Sequence, residues 1–194
     1  MGTMLQKAGL EAGEAPERLN RTHPEKIEAI HAAYAQAGAD IITANTFGAS
    51  RRKLGEDPAP YIAAGVAVAR RPAGPDRYVA LDIGPLGGLL EPYGDMSFDQ
   101  AYGMFAEIVR AGAEAGADLV LIETMSDLLE AKAALLAAKE HSSLPVFVTM
   151  TFGEDGRTFL GVDPAAAAVT LTALGADVVG LNCSMGPREL RPAL

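Results

Sequence analysis

The sequence predicts an α/β fold built on a parallel sheet, and three observations support that class. Segments rich in β-branched apolar residues alternate along the chain with segments of helical periodicity, as in consecutive strand–helix units. The predicted strands are continuous apolar runs, which suit parallel strands covered on both faces. Three of these runs follow the same Gly-Ala-Asp tripeptide, in AGADIITANTF, AGADLVLIETM and LGADVVGLNCS.

Five strands are predicted in chain order. The three Gly-Ala-Asp segments span residues 37–47, 115–125 and 174–184. Their glycines suit the C-terminal ends of the preceding helices, and the runs that follow are too short and too β-branched to be separate helices. Two further strands are predicted within Tyr78–Gly84 (YVALDIG) and Pro145–Phe152 (PVFVTMTF).

Helical segments separate these strands. Proline at a first helical position, or serine or aspartate at a cap, marks several of their starts. In the first segment, apolar residues recur at helical spacing at Ile27, Ile30 and Tyr34. The predicted helices are Pro24–Ala37, Pro58–Arg70, Ser97–Ala115, Asp127–Glu140 and Asp163–Leu174.

The strand ends favour one of two possible architectures, a (β/α) barrel or a doubly wound sheet. In a barrel the carboxyl ends of the strands converge on one mouth, whereas in a doubly wound sheet they spread along an edge. No glycine-rich dinucleotide or phosphate fingerprint follows a strand. Polar residues end all five strands, which favours the barrel: Asn45, Thr46, Asp82, Glu123, Thr124, Thr149, Thr151, Asn182 and Cys183.

The composition of the chain limits the cellular compartments and the classes of partner that are expected. A chain of 194 residues suits one domain over residues 1–194. The formal charge of −9 argues against nucleic acid or an anionic membrane as partner, and the cluster Arg51-Arg52-Lys53 is interpreted as a solvated loop or helix end. One cysteine excludes an intramolecular disulfide framework and fits a reducing compartment. With neither a signal peptide nor a membrane-length apolar run, the sequence predicts a soluble cytoplasmic protein.

Cys183 has two interpretations, a small buried core residue or a reactive thiolate at a strand end. A zinc site that stays open to substrate needs three protein ligands, and histidines are the other candidates. We expect His31 and His141 at the surface, on the side opposite the strand ends. His23 precedes the first helix on the mouth side, where a role at the helix start is favoured. From the residues alone, Cys183 is a thiolate without partners.

Two acids also end predicted strands. Glu123 follows an apolar strand, so it is either a buried acid that caps the next helix or pairs with an arginine, or a fixed anion that recognises a substrate ammonium. Asp82, in LDIGPLGG, is expected to orient a backbone loop. Asn45 and Thr46 either contact substrate or cap the segment that follows them.

Taken together, these motifs resemble the homocysteine S-methyltransferase family, and most closely the N-terminal homocysteine-binding module of cobalamin-dependent methionine synthases. The matching stretches occur in family order and cover nearly the whole chain. They are MGTML, LNRTHPEKIEAIHAAYAQAGADIITANTFGA, DIGPLGGLLEPYGDMSFDQAY, GADLVLIETMSDLLEAKAAL, VTMTFGEDGRTFLGVDP and ADVVGLNCSMGP.

The resemblance implies a (β/α)8 barrel that binds homocysteine and zinc at its mouth. The family's zinc is held by three cysteines, one of which matches Cys183 in the Asn-Cys motif. The substrate thiol takes the open zinc position, loses its proton and attacks a methyl group, delivered by methylcobalamin on another module, to give methionine. Glu123 matches the glutamate that holds the homocysteine ammonium.

Further substrate-binding residues are expected around that glutamate. Gly2 and Thr3 match a loop whose backbone amides approach the substrate carboxylate. The other members of the predicted substrate set lie at the strand ends: Asn45, Thr46, Asp82 and Asn182.

The chain also departs from the family pattern. Its five strands correspond to strands two to six, so we expect an incomplete barrel in which most of the first strand and the last two are missing. The other two cysteines belong to a Cys-Cys motif that the sequence lacks. The zinc site is therefore expected to be incomplete, and exposed strand edges predict self-association.

Several alternatives follow from these departures. The chain is either a methyltransferase domain that works with cobalamin- and folate-binding modules, or a non-catalytic oligomeric fragment with at most amino-acid binding. The methyl donor could instead be S-methylmethionine or betaine. A third interpretation is a lyase that uses Glu123 and Asp82 as acid and base.

Overall fold

The computed structural model describes residues 1–11 and 13–191, and within them five strands form one parallel sheet. The strands are β1 (Ile41–Thr43), β2 (Tyr78–Ile83), β3 (Leu119–Met125), β4 (Val146–Met150) and β5 (Val178–Leu181). The longer helices are α3 (Pro24–Gln36), α5 (Ala59–Ala73), α6 (Phe98–Glu114), α7 (Leu128–His141) and α8 (Pro164–Ala173). Short helices are α1 (Gly2–Lys7), α2 (Leu19–Thr22), α4 (Arg51–Leu54) and α9 (Pro187–Leu190), with a 3₁₀ turn at Pro16–Arg18.

The strands lie side by side in chain order, β1-β2-β3-β4-β5, and every neighbouring pair is parallel. A doubly wound sheet reverses its strand order at a switch point, and the described sheet has no such reversal. The predicted α/β class and the strand order of a barrel are therefore confirmed. That these are strands two to six of eight remains a prediction.

The Gly-Ala-Asp tripeptides join helices to strands as predicted. Gly38, Gly116 and Gly175 have φ of 94°, 85° and 95°, the left-handed conformation that ends a helix. The aspartates have a separate role. Asp118 accepts a hydrogen bond from the backbone N–H of Val79 at 2.6 Å, and Asp177 accepts one from Val146 at 2.8 Å. Each carboxylate thus satisfies a backbone donor near the start of the neighbouring strand.

The predicted helices form with small shifts at their ends. Ser97 caps α6 through a capping box with Gln100, and Asp163 caps α8. The helix predicted over Pro58–Arg70 continues to Ala73, through Pro72 in its last turn. Proline removes one hydrogen bond there, but the last turn still buries Ala69 and Ala73 in the core.

Close packing of small residues places the helices against one face of the sheet. Gly112 of α6 lies against Leu81 of β2, where an added Cβ would be 2.3 Å from Leu81 Cδ2. The alanines of α7 are fully buried between the sheet and its neighbouring helices. With the outer face of the sheet covered in this way, side chains on the other face are left to line the mouth. Among the described residues, no helix is both long and apolar enough to cross a membrane.

Candidate functional site

A cavity of about 720 Å³ extends along β1 and reaches Asp82 and Glu123 near the carboxyl ends of β2 and β3. Its polar lining comes from several elements that the chain separates widely. The charged or titratable side chains in the lining are Glu14, Glu17, His31, Tyr34, Lys53, Asp82 and Glu123, and Gly2 and Asn45 also line it.

Glu123 is held in this cavity by Asn182. Asn182 follows β5 and reaches across the end of β4, and its Nδ2 donates to Glu123 Oε2 at 2.7 Å. The same amide donates to Thr124 Oγ1 at 2.8 Å, and its Oδ1 accepts from the Thr124 backbone N–H at 3.1 Å. One asparagine therefore fixes the carboxylate of Glu123 and the residue after it. The position of Glu123 in the cavity favours the fixed-anion interpretation over a helix cap, which Asp127 supplies for α7.

A bulge in β3 aims these groups. Ile122 pairs with Val148 and Met125 pairs with Met150, so β3 advances by three residues where β4 advances by two. Thr124 in the bulge has φ of 61°, which is rare for a β-branched side chain and persists only where the surroundings enforce it. Bulges commonly re-aim a side chain next to an active site. Here the three hydrogen bonds of Asn182 stabilise the strained backbone.

Cys183 is an exposed free thiol beside this cluster, so the buried-core interpretation is wrong. Its Sγ lies 3.6 Å from both Thr124 Oγ1 and Asn182 Nδ2. Cys183 and Ser184 both have positive φ, 61° and 51°. Ser184 Oγ donates to the carbonyl of Phe152 and accepts from Thr151 Oγ1 at 3.0 Å, which fixes the turn.

Asp82 is buried and points into the cavity from β2. Thr46 Oγ1 binds both its backbone N–H, at 3.0 Å, and its carbonyl, at 2.9 Å. Among the described residues, Asp82 Oδ1 has no hydrogen-bond partner. Burial, followed by the neighbouring carboxylates of Glu123 and Glu17, raises the pKa of Asp82 well above its usual range.

The expectation that Asp82 orients the following loop is wrong, because Glu130 has that role. Glu130 of α7 is buried, and its Oε1 accepts from the backbone N–H of Leu86 at 2.7 Å, inside the GPLGG loop. Burial raises the pKa of Glu130 to about 7. No sequence pattern predicted this contact, since Glu130 lies at an ordinary helical position.

Asn45 and Thr46 do not cap the next helix, since Ser50 caps α4. Asn45 Nδ2 donates to the carbonyl of Pro16 and to Asn20 Oδ1, both at 2.8 Å, and so ties the N-terminal segment to the end of β1. Thr46 links β1 to β2 and is absent from the cavity lining. A direct contact of either residue with substrate remains a prediction.

Gly2 and Thr3 lie in the short helix α1 instead of the expected loop. Gly2 lines the cavity, while Thr3 is exposed and does not. The first N–H groups of any helix lack intrahelical partners, so the amides of α1 remain candidates to bind a carboxylate.

The expectation that His31 lies at the surface is wrong, because α3 is rotated relative to the predicted face. Its buried residues include Ile27, Ile30, His31 and Ala35, whereas Tyr34 is half exposed. His31 lines the cavity, and its Nε2 has no hydrogen-bond partner in the part of the chain that the structure describes. Burial, together with the amino group of Met1, lowers the pKa of His31 to about 4. The sequence signal was present, since 27, 31 and 35 also follow helical spacing.

The other histidines stay outside the cavity. His23 is exposed at the start of α3, with Nδ1 3.2 Å from Glu25 Oε1, in keeping with a role at the helix start. His141 ends α7 and is half-buried instead of fully at the surface, because its Nε2 contacts the Tyr102 hydroxyl at 3.0 Å.

Two further residues of the lining were not anticipated. Glu17 is buried in the 3₁₀ turn, and its Oε1 accepts from the Gly48 backbone N–H at 2.6 Å. Lys53 is exposed in α4 together with Arg51 and Arg52, as expected for a solvated helix end, and its ammonium lies 5.1 Å from the centre of the Phe47 ring. Partial removal of this ammonium from water lowers the pKa of Lys53.

The described residues do not by themselves fit a zinc site. Over residues 1–11 and 13–191, no group of three or more His, Cys, Asp or Glu side chains could hold a metal ion. The groups in contact with Cys183 Sγ are a hydroxyl and an amide, which are weaker zinc ligands than thiolate or imidazole.

Solved structures share this fold. The apo form of the homocysteine methyltransferase MmuM from Escherichia coli matches with a TM-score of 0.75 at 20% identity, over 97% of this chain and 71% of that one. Its metallated form matches with a TM-score of 0.67 at 18% identity, over 98% of this chain and 91% of that one. At these identities the likeness concerns the fold, which is of the TIM-barrel type.

Sequence comparison identifies the family. The methionine synthase of Mycobacterium leprae is 37% identical over 212 residues, covering 98% of this chain and 18% of that protein. This chain therefore spans less than a fifth of the length of that relative. The homocysteine S-methyltransferase family model matches residues 1–194. With the strand order, the Glu123–Asn182 cluster and this match in agreement, the chain belongs to the homocysteine S-methyltransferase family.

Proposed function

We propose that the cavity binds homocysteine and presents its thiol as the acceptor of a methyl group, which yields methionine. The observation that carries the proposal is the carboxylate of Glu123 inside the cavity, where Asn182 Nδ2 donates to Glu123 Oε2 at 2.7 Å. The same Asn182 nitrogen lies 3.6 Å from the exposed thiol of Cys183. The family to which the chain belongs supports this substrate.

Each end of the amino acid has a proposed partner. The ammonium pairs with Glu123, where partial removal from water strengthens the attraction between charges. Asn182 is a positioning residue that orients Glu123. The backbone amides of Gly2 and Thr3 approach the carboxylate, and Asp82, Asn45 and Thr46 complete the binding set. The thiol end then lies towards Cys183.

Methyl transfer requires the homocysteine thiol to act as a thiolate. Its proton leaves to solvent, a sulfur lone pair attacks the methyl carbon, and the bond from that carbon to the donor breaks. We propose methylcobalamin on a separate module as donor, because a relative at 37% identity is a methionine synthase. Cobalamin- and folate-binding modules are then the partners. S-methylmethionine and betaine remain the alternative donors.

Zinc activation is implied by the family resemblance, and a metallated form of MmuM is known. Cys183 is the proposed ligand from this chain. Because the described residues offer one thiolate, we assign no step to the metal. We expect the purified chain to contain much less than one zinc per molecule. One zinc per molecule in the wild type, lost in Cys183→Ser, would contradict this expectation and would show that the chain holds a zinc site that includes Cys183.

Three further proposals accompany this function. Residues 1–194 form one homocysteine-binding domain of the cytoplasm, and β1–β5 are strands two to six of an eight-stranded barrel. The chain also self-associates through its sheet edges. The second candidate function, an oligomeric amino-acid binder without catalysis, is favoured by the single thiolate at the site.

The proposed function is tested by calorimetric binding of L-homocysteine and L-methionine. Glu123→Gln should weaken binding by roughly 10- to 100-fold, since a charged hydrogen bond contributes about 1.5–3 kcal/mol. Glu114→Gln, an exposed residue near the end of α6, is the matched control and should bind as wild type does. Methionine formation from L-homocysteine and methylcobalamin then separates the enzyme from the non-catalytic binder. Equal affinities of the two variants would refute the site.

A further inference from the structure

We infer that Asp82 and Glu123 form a carboxyl pair that holds one proton in the free protein and releases it when the ammonium of an amino acid binds. This inference rests on the proposed function, and it adds a proton to the binding equilibrium. It also gives Asp82 a role different from that of Glu123: Asn182 orients the carboxylate of Glu123, and Asp82 is an acid that becomes an anion when the ligand binds.

The sheet places the two carboxyl groups together. Asp82 of β2 is in register with Leu121 of the parallel strand β3, and Glu123 lies two residues further along β3. Alternate residues of a strand point to the same face, so Asp82, Leu121 and Glu123 share one. Leu81 faces α6 from the opposite side of β2. Both acids accordingly line the same cavity.

The surroundings of the two groups are unequal, which decides where the proton resides. Glu123 is only partly buried, and its Oε2 accepts a hydrogen bond from Asn182 that stabilises the charged form. Asp82 is only 5% exposed, and its Oδ1 has no partner among the described residues. An isolated buried carboxylate is costly, whereas a protonated one can donate towards Glu123. The raised pKa of Asp82 agrees with this assignment.

Other charges face the pair from each packed element. Glu17 in the 3₁₀ turn adds a negative charge that favours protonation of Asp82. Lys53 of α4 and the amino group of Met1 act in the opposite direction. His31 of α3 also lines the cavity, and its lowered pKa, about 4, keeps it neutral at neutral pH. Burial of Asp82 is the largest of these influences, and it favours the protonated form in the free protein.

An ammonium in the cavity reverses this preference. It carries three N–H donors and one positive charge, and two carboxylates satisfy it better than one carboxylate beside a neutral acid. The proton of Asp82 then passes to solvent, and no other group needs to change. Binding is consequently stronger at higher pH, up to the pKa of Asp82 in the free protein, above which the affinity becomes constant.

The test is calorimetric titration with L-methionine, which has no thiol to titrate, in two buffers of different ionisation heat. Between the ordinary pKa of an aspartate and the raised pKa of Asp82 in the free protein, we expect up to one proton released per ligand bound in the wild type, with affinity rising up to tenfold per pH unit. Asp82→Asn should release almost none, and its affinity should be nearly independent of pH. His31→Gln, which alters another titratable group of the same cavity, should keep the release.

Two results would overturn the inference: binding without proton release, or proton release that Asp82→Asn retains. If Asp82→Asn does not fold, the infrared difference spectrum of the wild type decides. Loss of a protonated carboxyl band on adding L-methionine supports the pair, and an unchanged band refutes it. A wild type that does not bind L-methionine at all would remove the proposed function as well, so the two failures are distinguishable.

Discussion

At the scale of single residues, two buried titratable groups in this protein have opposite effects on stability. The fold favours the protonated form of Glu130, whose pKa rises to about 7, and the neutral form of His31, whose pKa falls to about 4. The contribution of Glu130 is complete below its unfolded pKa of 4.5 and is lost as pH rises through about 7. That of His31 is complete above 6.5 and is lost as pH falls towards 4.

Single substitutions should separate these two effects. One pKa unit corresponds to about 1.4 kcal/mol, so each group changes the free energy of unfolding by roughly 2 kcal/mol between about pH 5 and 6.5. Relative to wild type, Glu130→Gln should gain stability as pH rises over this range, and His31→Gln should lose it. The pKa of Asp82 is raised, as is that of Glu130, but Asp82 is present in the wild type and in both variants, so its effect cancels in these comparisons.

Urea denaturation at several pH values measures both profiles. Glu140→Gln, an exposed acid later in α7, is the control for Glu130 and should leave the profile unchanged. Parallel profiles for wild type, Glu130→Gln and His31→Gln would show that these groups titrate alike in the folded and unfolded chain.

At the scale of elements, the contact between α6 and β2 depends on one glycine. A Cβ at Gly112 would be 2.3 Å from Leu81 Cδ2, whereas a Cβ at Gly103 of the same helix would meet nothing within 4 Å. Both sites gain helix propensity from alanine, by up to about 1 kcal/mol. Only Gly112→Ala adds a clash, which costs roughly 1–3 kcal/mol.

We therefore expect Gly112→Ala to destabilise the protein and Gly103→Ala to leave it unchanged or more stable. The midpoint of urea unfolding at one pH is sufficient to compare them. Similar midpoints would mean that α6 can move away from β2 without loss, and that the close approach is not needed to hold the sheet.

Elements also show where prediction from sequence succeeds. The capped starts of α6 and α8 and the glycine ends before β1, β3 and β5 were all predicted, because each is set by residues within one turn. The buried face of α3 was not predicted correctly, because two sets of residues have helical spacing. One set is Ile30 and Tyr34, and the other is Ile27, His31 and Ala35. What α3 packs against decides between them.

At the scale of the whole molecule, the described sheet has two open edges. The edge strands β1 and β5 carry exposed apolar side chains, among them Ile41, Val178 and Val179. Exposed strand edges with apolar side chains favour pairing with another chain. We expect concentration-dependent association in analytical ultracentrifugation.

Charge on an edge strand should weaken this association. Val178→Lys is the test variant, since edge lysines oppose strand pairing. Val169→Lys, at a more exposed site on α8, is the control and should associate as wild type does. A cooperatively folded monomer at all concentrations would contradict the expectation, and equal association of both variants would place the contact elsewhere.

The sequence by itself determined the α/β class, the order of strands and helices, and the set of polar residues at the strand ends. These features depend on periodicity and on short-range caps, which neighbouring residues specify. Only the tertiary structure decided which of those residues act together. The Glu130–Leu86 and Asn182–Glu123 hydrogen bonds join residues 44 and 59 positions apart. Such contacts depend on how strands align and helices pack. For this reason Asp82 lies beside Glu123 instead of contacting the following loop, and His31 lines the cavity instead of lying at the surface.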